Sequence, residues 1–273
     1  MKHTLLVTTL CAGVLACSTA TAAAFQHQAG LSLSDNNSYS VSFSPFYAYY
    51  FNPVEDSHGP LEMAIFLNQA SSVSVRFKQT DYPSSSRYSE DYDWRFYGDF
   101  VFDNGLNIGV GLNKSYTNYS AANSIALDVS TPSIDLGYYL DQYRYINFGL
   151  SQMESSEDQK MDTFSVSGIY MVPLEQGEFI KFNADFEIND HIRSYWDSKA
   201  IDLEMTYYPQ HDLGFSAGFA HELFDEQNNS STYSFGSKYF FNASLYASLN
   251  MSMTMQGSEN WSNKQTLQVG ARF

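Results

Sequence analysis

Apolar and polar residues alternate along most of this chain. At its end, Trp261, Leu267, Val269, Ala271 and Phe273 share one parity, and Thr266, Gln268, Gly270 and Arg272 share the other. A period of two marks a strand with one apolar and one polar face. The same alternation runs through residues 106–113, 180–187, 201–207, 213–219 and 244–255. These strands are about 10 to 13 residues long, against a usual 5 or 6 in soluble sheets. That length fits a tilted membrane strand of about 9 to 11 residues with an extension. A soluble β-sandwich alternates too, so turn rhythm has to decide. Compact turns fall at 103–105, 140–142, 173–177, 209–212 and 241–243. Longer segments rich in Ser, Asn and acids fall between them, at 80–89, 118–124, 154–162, 189–194, 225–231 and 257–260. Short turns on one rim and polar loops on the other predict a transmembrane antiparallel up-and-down β-barrel. Its strand count is about fourteen, with twelve or sixteen open. Three places strain the count: residues 25–38 read as a weak first strand, Pro45 falls inside the second, and the apolar parity slips near Pro132. A bulge at Pro132 is the expected reason for the slip, since proline cannot donate to the ladder.

Both ends of the sequence agree with that compartment. Lys2 and His3 precede an apolar stretch, residues 5–15, and a small-residue region, residues 20–24. That is the pattern of a secretory signal peptide, so residues 1–24 are expected to be removed and 25–273 to form the barrel. Phe273 resembles the terminal aromatic signal that the barrel-assembly machinery reads in bacterial outer-membrane proteins. Both cysteines, Cys11 and Cys17, lie in the signal segment, so the barrel has neither a disulfide nor a thiolate metal site. Without Lys2 there are 13 basic against 30 acidic residues, a net charge of −17. That charge argues against nucleic acid and against a basic lipid-binding patch. Mean hydropathy is −0.31 with 21 Tyr and 21 Phe. A barrel with a greasy outside and a polar inside gives that balance, because only every second residue must be apolar. Tyr47, Tyr49, Tyr50, Phe51, Tyr138, Tyr139, Tyr207, Tyr208, Tyr239, Phe240 and Phe241 cluster at strand ends, beside the expected periplasmic turns. They are expected to form a girdle at the bilayer interface.

One connection breaks the short-turn rule. Residues 52–69, NPVEDSHGPLEMAIFLNQ, place Leu61, Ala64, Ile65 and Phe66 on one side of a short helix after Gly59-Pro60. The helix caps the periplasmic mouth or packs under the barrel. His58 with Glu55 and Asp56 reads as a solvated turn rather than a metal site, because no second His or Cys is near. Over residues 47–75, YAYYFNPVEDSHGPLEMAIFLNQASSVSV, the chain resembles the "putative porin" family of Gram-negative bacteria. The resemblance lies in the aromatic strand end, the Pro-Val pair, the Gly/Pro turn, the Ala-x-Phe-Leu element and the Ser-Ser-Val strand start. It implies a diffusion channel and supplies no catalytic residues.

No Gly-x-Ser-x-Gly, phosphate loop or His-Glu-x-x-His motif is present, and an enzyme is not expected. The enzyme readings weighed are a protease using Asp190-His191 with Asp91 and Asp93, and a lipase using His221 on the lipid face. The inward parity carries the expected function. Arg76, Arg95, Asp99, Asp128, Asp135, Lys181, Asp185, Asp202, Glu204 and Lys238 are the pore-lining candidates, with Lys78, Asp93 and Arg272 on the same parity. Mixed charge gives a transverse field, and excess carboxylate favours cations. At about fourteen strands a narrow pore without a plug is expected. The sequence therefore predicts an outer-membrane channel for passive diffusion of small hydrophilic solutes, cation-preferring and without a cofactor. Its expected partners are outer-membrane lipid, lipopolysaccharide, the assembly machinery and small solutes or ions. The alternative is a non-conducting surface or adhesion barrel.

Overall fold

The computed structural model describes residues 24–37, 40–56, 59–82, 88–119, 127–157, 159–191, 197–225, 228–257 and 260–273. The expected signal segment lies outside these except for Ala24, and so does His58. Fourteen strands follow in order: β1 (Ala24–Asn36), β2 (Ser40–Glu55), β3 (Ser72–Asp81), β4 (Tyr88–Val101), β5 (Leu106–Tyr119), β6 (Leu127–Asp141), β7 (Arg144–Ser155), β8 (Lys160–Pro173), β9 (Phe179–His191), β10 (Ser198–Gln210), β11 (Leu213–Phe224), β12 (Ser230–Asn242), β13 (Leu245–Gln256) and β14 (Asn260–Arg272). Each pairs antiparallel with its sequence neighbours, and β1 closes the ring on β14. Closure leaves no strand edge to be satisfied in lipid.

Burial is inverted relative to a soluble protein. Phe235 is 66% exposed and Arg272 only 2%. Phe96, Ile134, Leu150, Phe186, Leu203 and Leu249 all stand outward. In water each would cost about 1.5–3 kcal/mol left exposed. Against acyl chains that cost disappears, so the outer face reads as a lipid belt.

Pro45 and Pro132 sit inside strands without a bulge. Leu112 pairs with Pro132, and the β5 register is unshifted from Leu106↔Tyr138 to Thr117↔Leu127. On the β7 side, pairing lapses only between Ser130 and Ser133 and resumes in the same register. The expected bulge is therefore absent: the missing N–H is absorbed as a gap in one ladder. Pro45 does the same, pairing with Leu31 of β1 where the β2–β3 ladder skips from Phe43 to Phe46. The parity slip in the sequence is a change of side-chain type, with Leu127 and Val129 inward near the outer rim.

The weak first strand is held at its periplasmic end. A bulge between Phe25 and His27 turns Phe25 inward. Phe273 exchanges backbone bonds with His27 at 2.9 and 2.8 Å, and its ring stacks on the imidazole at 5.3 Å and 12°. Phe273→Ala keeps the backbone bonds and loses the stack, so the refolded barrel is expected to lose about 1 kcal/mol. Urea titration in detergent measures that loss. A much larger defect in cellular assembly than in refolding would assign the ring to recognition by the assembly machinery.

Candidate functional site

The connection after β2 does not stay outside the barrel. Leu61–Met63 forms a 3-10 turn that continues into a single α-helical turn, Ala64–Leu67. Pro60 supplies the fixed φ at its start, and Gln69 at φ +49 ends it. Asn68 ties the segment to the end of β2, its Nδ2 donating to the Glu55 carbonyl at 2.7 Å and to the Ala64 carbonyl at 2.8 Å. Leu61, Met63 and Ala64 are buried.

What buries them is the inside of the periplasmic mouth. Leu61 packs on Phe240 and Tyr246, and Met63 packs on Met171 and Tyr208. The Phe66 ring lies 5.4 Å from that of Tyr139. Polar ties complete the fit. The Leu61 N–H donates to the His211 carbonyl at 2.8 Å, and Arg272 Nη1 donates to the Leu61 carbonyl at 2.7 Å. Lys238 Nζ meets Glu62 Oε1 at 3.3 Å. The segment thus touches β6, β8, β10, β12, β13 and β14, and it is a plug. The expectation of an unplugged pore is corrected at this end. Inward aromatic side chains make the seat, so the girdle reading is corrected for four of its members. Tyr50, Tyr139, Tyr208 and Phe240 point in, while Tyr47, Phe51, Tyr138, Tyr239 and Phe241 point out. Adjacent aromatics in a strand necessarily serve opposite faces.

Arg272 is the tightest of these ties. Its guanidinium lies 4.7 Å from the ring centres of both Phe25 and Phe240 and 5.8 Å from Tyr246. Its hydrogen bond goes to a peptide carbonyl rather than to a carboxylate. A buried cation held by three rings and a carbonyl is a clamp on the plug.

Above the plug the inward faces are polar. Nine of the ten pore-lining candidates share this parity. Asp128 does not: its cross-strand partner is Tyr116, on the outward parity, so it stands apart from the others. Lys181 pairs with Glu204 at 2.9 Å, and Lys78 lies 3.9 Å from Asp93. Asp99 accepts from Asn107 at 2.7 Å, and Asp135 accepts from Tyr97 at 3.1 Å. A chamber of about 170 Å³ directly over the plug is lined by Glu62, Glu204, Thr206, Lys238, Asn250 and Gln268. A second space of about 360 Å³ lies nearer the outer rim, beside Asp185, Glu187, Asp202 and Glu222.

Two in-register pairs of like charge stand on opposite walls, while β4 also turns Asp91, Asp93 and Asp99 inward and β9 turns Lys181 inward. Arg76 of β3 faces Arg95 of β4 in register, and Lys264 of β14 looks into the same space as Lys78. Asp185 of β9 faces Asp202 of β10 in register, with Glu204 and Glu222 beside them. β3 and β10 are seven strands apart in a ring of fourteen, so they are opposite walls. Lys264, Glu187 and Glu222 were missing from the candidates, although strand parity alone places them with Gln268, Asp185 and Ala220.

The enzyme candidates are dispersed. Asp190 and His191 are consecutive in β9 and point to opposite faces. Asp91 and Asp93 lie on β4, where they accept from Tyr82 and Ser115. His221 Nδ1 contacts Ser231 Oγ at 2.9 Å across the β11–β12 pair, and its ring stacks on Phe219.

Many solved barrels share this fold, three of them as follows. The Acinetobacter baumannii outer membrane protein Omp33 aligns with a TM-score of 0.59 at 16% identity, over 92% of this chain and 99% of that one. A bacterial polysaccharide outer membrane secretin aligns at 0.59 and 10% identity, over 91% of this chain and 98% of that one. The CymD monoaromatic hydrocarbon channel aligns at 0.56 and 10% identity, over 91% and 89%. A search of curated proteins finds no sequence match. The family model for a "putative general bacterial porin" matches residues 1–273, and with its closed outer-membrane barrel this chain belongs to that family.

Proposed function

We propose that the barrel passes small hydrophilic solutes passively across the outer membrane, that it prefers cations, and that the plug limits the current. Residues 1–24 direct export, and the assembly machinery and lipopolysaccharide are its envelope partners. One observation carries the cation preference. Among the described residues, Asp99, Asp135, Asp185 and Asp202 face inward with no Lys or Arg in an ion pair. Uncompensated carboxylates in a lumen lower the energy of a passing cation and raise that of an anion. In a potassium chloride gradient across a planar bilayer, the reversal potential is expected to report cation selectivity. Asp185→Asn with Asp202→Asn is expected to reduce it. A reversal potential of the anion-selective sign would refute the preference.

The plug itself favours a second reading, a non-conducting surface barrel. Repeated insertions of purified protein without a single conductance step would decide for it. The reading is of a non-enzyme. The His221–Ser231 contact has no third group among the described residues that orients the imidazole, and triad chemistry depends on such a group. Ester hydrolysis by the purified barrel, lost in His221→Ala, would overturn that part.

A further inference from the structure

We infer that the lumen is built to take small zwitterions, with the solute carboxylate docking on Arg76 and Arg95 and its ammonium end turned to the opposite wall. The inference rests on the channel reading and names the solute class.

The argument starts from two register pairs that a filled barrel would avoid. Arg76 is directly opposite Arg95, and Asp185 is directly opposite Asp202. Like charges facing each other across a ladder destabilise it. A lumen that only needed filling would do better with unlike pairs, as Lys78 with Asp93 shows one step away. Neither arginine has a carboxylate partner among the described residues, and both are exposed to the lumen. Arg76 leans over the Phe46 ring at 5.5 Å, which holds its stem and leaves its polar edge free.

Two adjacent guanidiniums offer planar, forked donors, the geometry that suits a carboxylate. A carboxylate between them also relieves their mutual repulsion. A simple anion gains this too, but it must cross a lumen whose other wall is acidic. A simple cation is welcome at Asp185 and Asp202 and is repelled at the arginines. A solute carrying both charges satisfies both walls. Both sites lie above the plug: Arg76 rests on Phe46, which packs on the Leu61 cluster, and Glu204 beside Asp202 lines the chamber over Glu62. The solute is therefore oriented just before the constriction.

The probes are triglycine and a neutral sugar of similar size, in liposome swelling and in single-channel recordings with potassium chloride. Wild-type barrel is expected to admit triglycine faster than the sugar and to show triglycine-dependent current interruptions. Arg76→Gln with Arg95→Gln is expected to lengthen the time constant of triglycine entry about tenfold, the loss of one charge-assisted contact. Potassium conductance steps are expected to persist. Asp202→Asn, on the far wall, is expected to act in the same direction and guards against a folding defect in the arginine variant. Conductance steps with no preference for triglycine, unchanged in both variants, would overturn the zwitterion inference and leave the channel intact. Absence of any step in wild-type protein would overturn the channel reading and this inference with it.

Discussion

Replacing residues 61–67 with a Gly-Ser segment of equal length is expected to raise single-channel conductance several-fold. The physical case is the area of mouth the plug occupies. It meets side chains from at least six strands, and its Leu61, Met63 and Ala64 are buried among them. Ions cannot cross that packing, so current must run through its rim or wait for it to undock. A Gly-Ser segment cannot bury apolar surface and remains a flexible coil. Clamp variants give a graded form of the same result. Arg272→Met removes the donor to the Leu61 carbonyl and leaves that carbonyl buried and unpaired. The cost is about 1–3 kcal/mol. That shifts the ratio of docked to undocked plug about 5- to 150-fold. Glu62→Gln weakens the 3.3 Å pair with Lys238 and should act more mildly. Open-state lifetimes in bilayer recordings rank the three variants. Equal conductance in wild type and the Gly-Ser variant would show that the plug does not limit the current.

The barrel was legible because its rule is local. Lipid outside and water inside force period-two alternation on every strand, and short turns on one rim force the rhythm. Leu267, Val269, Gln268 and Arg272 carry that rule in a single segment, and each points where its parity says. The plug was half legible. Leu61, Ala64 and Phe66 announce an amphipathic turn, but not whether its apolar side meets lipid, a rim or a lumen. That depends on Phe240, Tyr246, Met171 and Tyr208, which lie more than a hundred residues away and carry no mark of being partners. The aromatics misled for the same reason. Tyr138 and Tyr139 look alike in sequence, and only the strand face separates an interface anchor from a plug seat.

The placing of two like-charged pairs on opposite walls was not legible at all. Alternation says that Arg76, Arg95, Asp185 and Asp202 face inward. It does not say which face each other, because register depends on loop lengths and bulges summed around the ring. Asp128 shows the reverse error. The parity change at Pro132 invited a bulge, and an unshifted register instead put that carboxylate outside.

Gly30→Val is expected to prevent the ring from closing properly. Gly30 pairs with Gly270 at the β1–β14 junction, both on the inward parity. A Cβ on Gly30 would sit 2.5 Å from Phe46 Cε1 and 2.6 Å from the Val269 carbonyl oxygen. A Cβ on Gly270 would sit 2.4 Å from Tyr246 Cζ. The two glycines thus leave room for two rings to lie flat over the junction, an arrangement in which an aromatic shields a strand glycine. Neither ring can easily give way. Phe46 packs against the Leu61 cluster, and Tyr246 accepts from Gln28 at 2.9 Å and packs on Phe240 at 5.1 Å. The Val269 oxygen belongs to the ladder itself and moves only if the junction opens. Valine favours a strand by at most about 1 kcal/mol over less suited residues. Overpacking against fixed neighbours costs about 1–3 kcal/mol, so the steric term wins. The junction also carries the clamp on Arg272, so opening it releases the plug. Gly30→Val is therefore expected to lower the yield of heat-modifiable barrel in detergent and to leave the residual barrels noisy in bilayers. Gly168→Ala is the matched control, since its nearest neighbour, the Tyr145 carbonyl oxygen, is 3.6 Å away. That substitution is expected to refold like wild type, and equal losses in both variants would show that the junction has no special need for glycine.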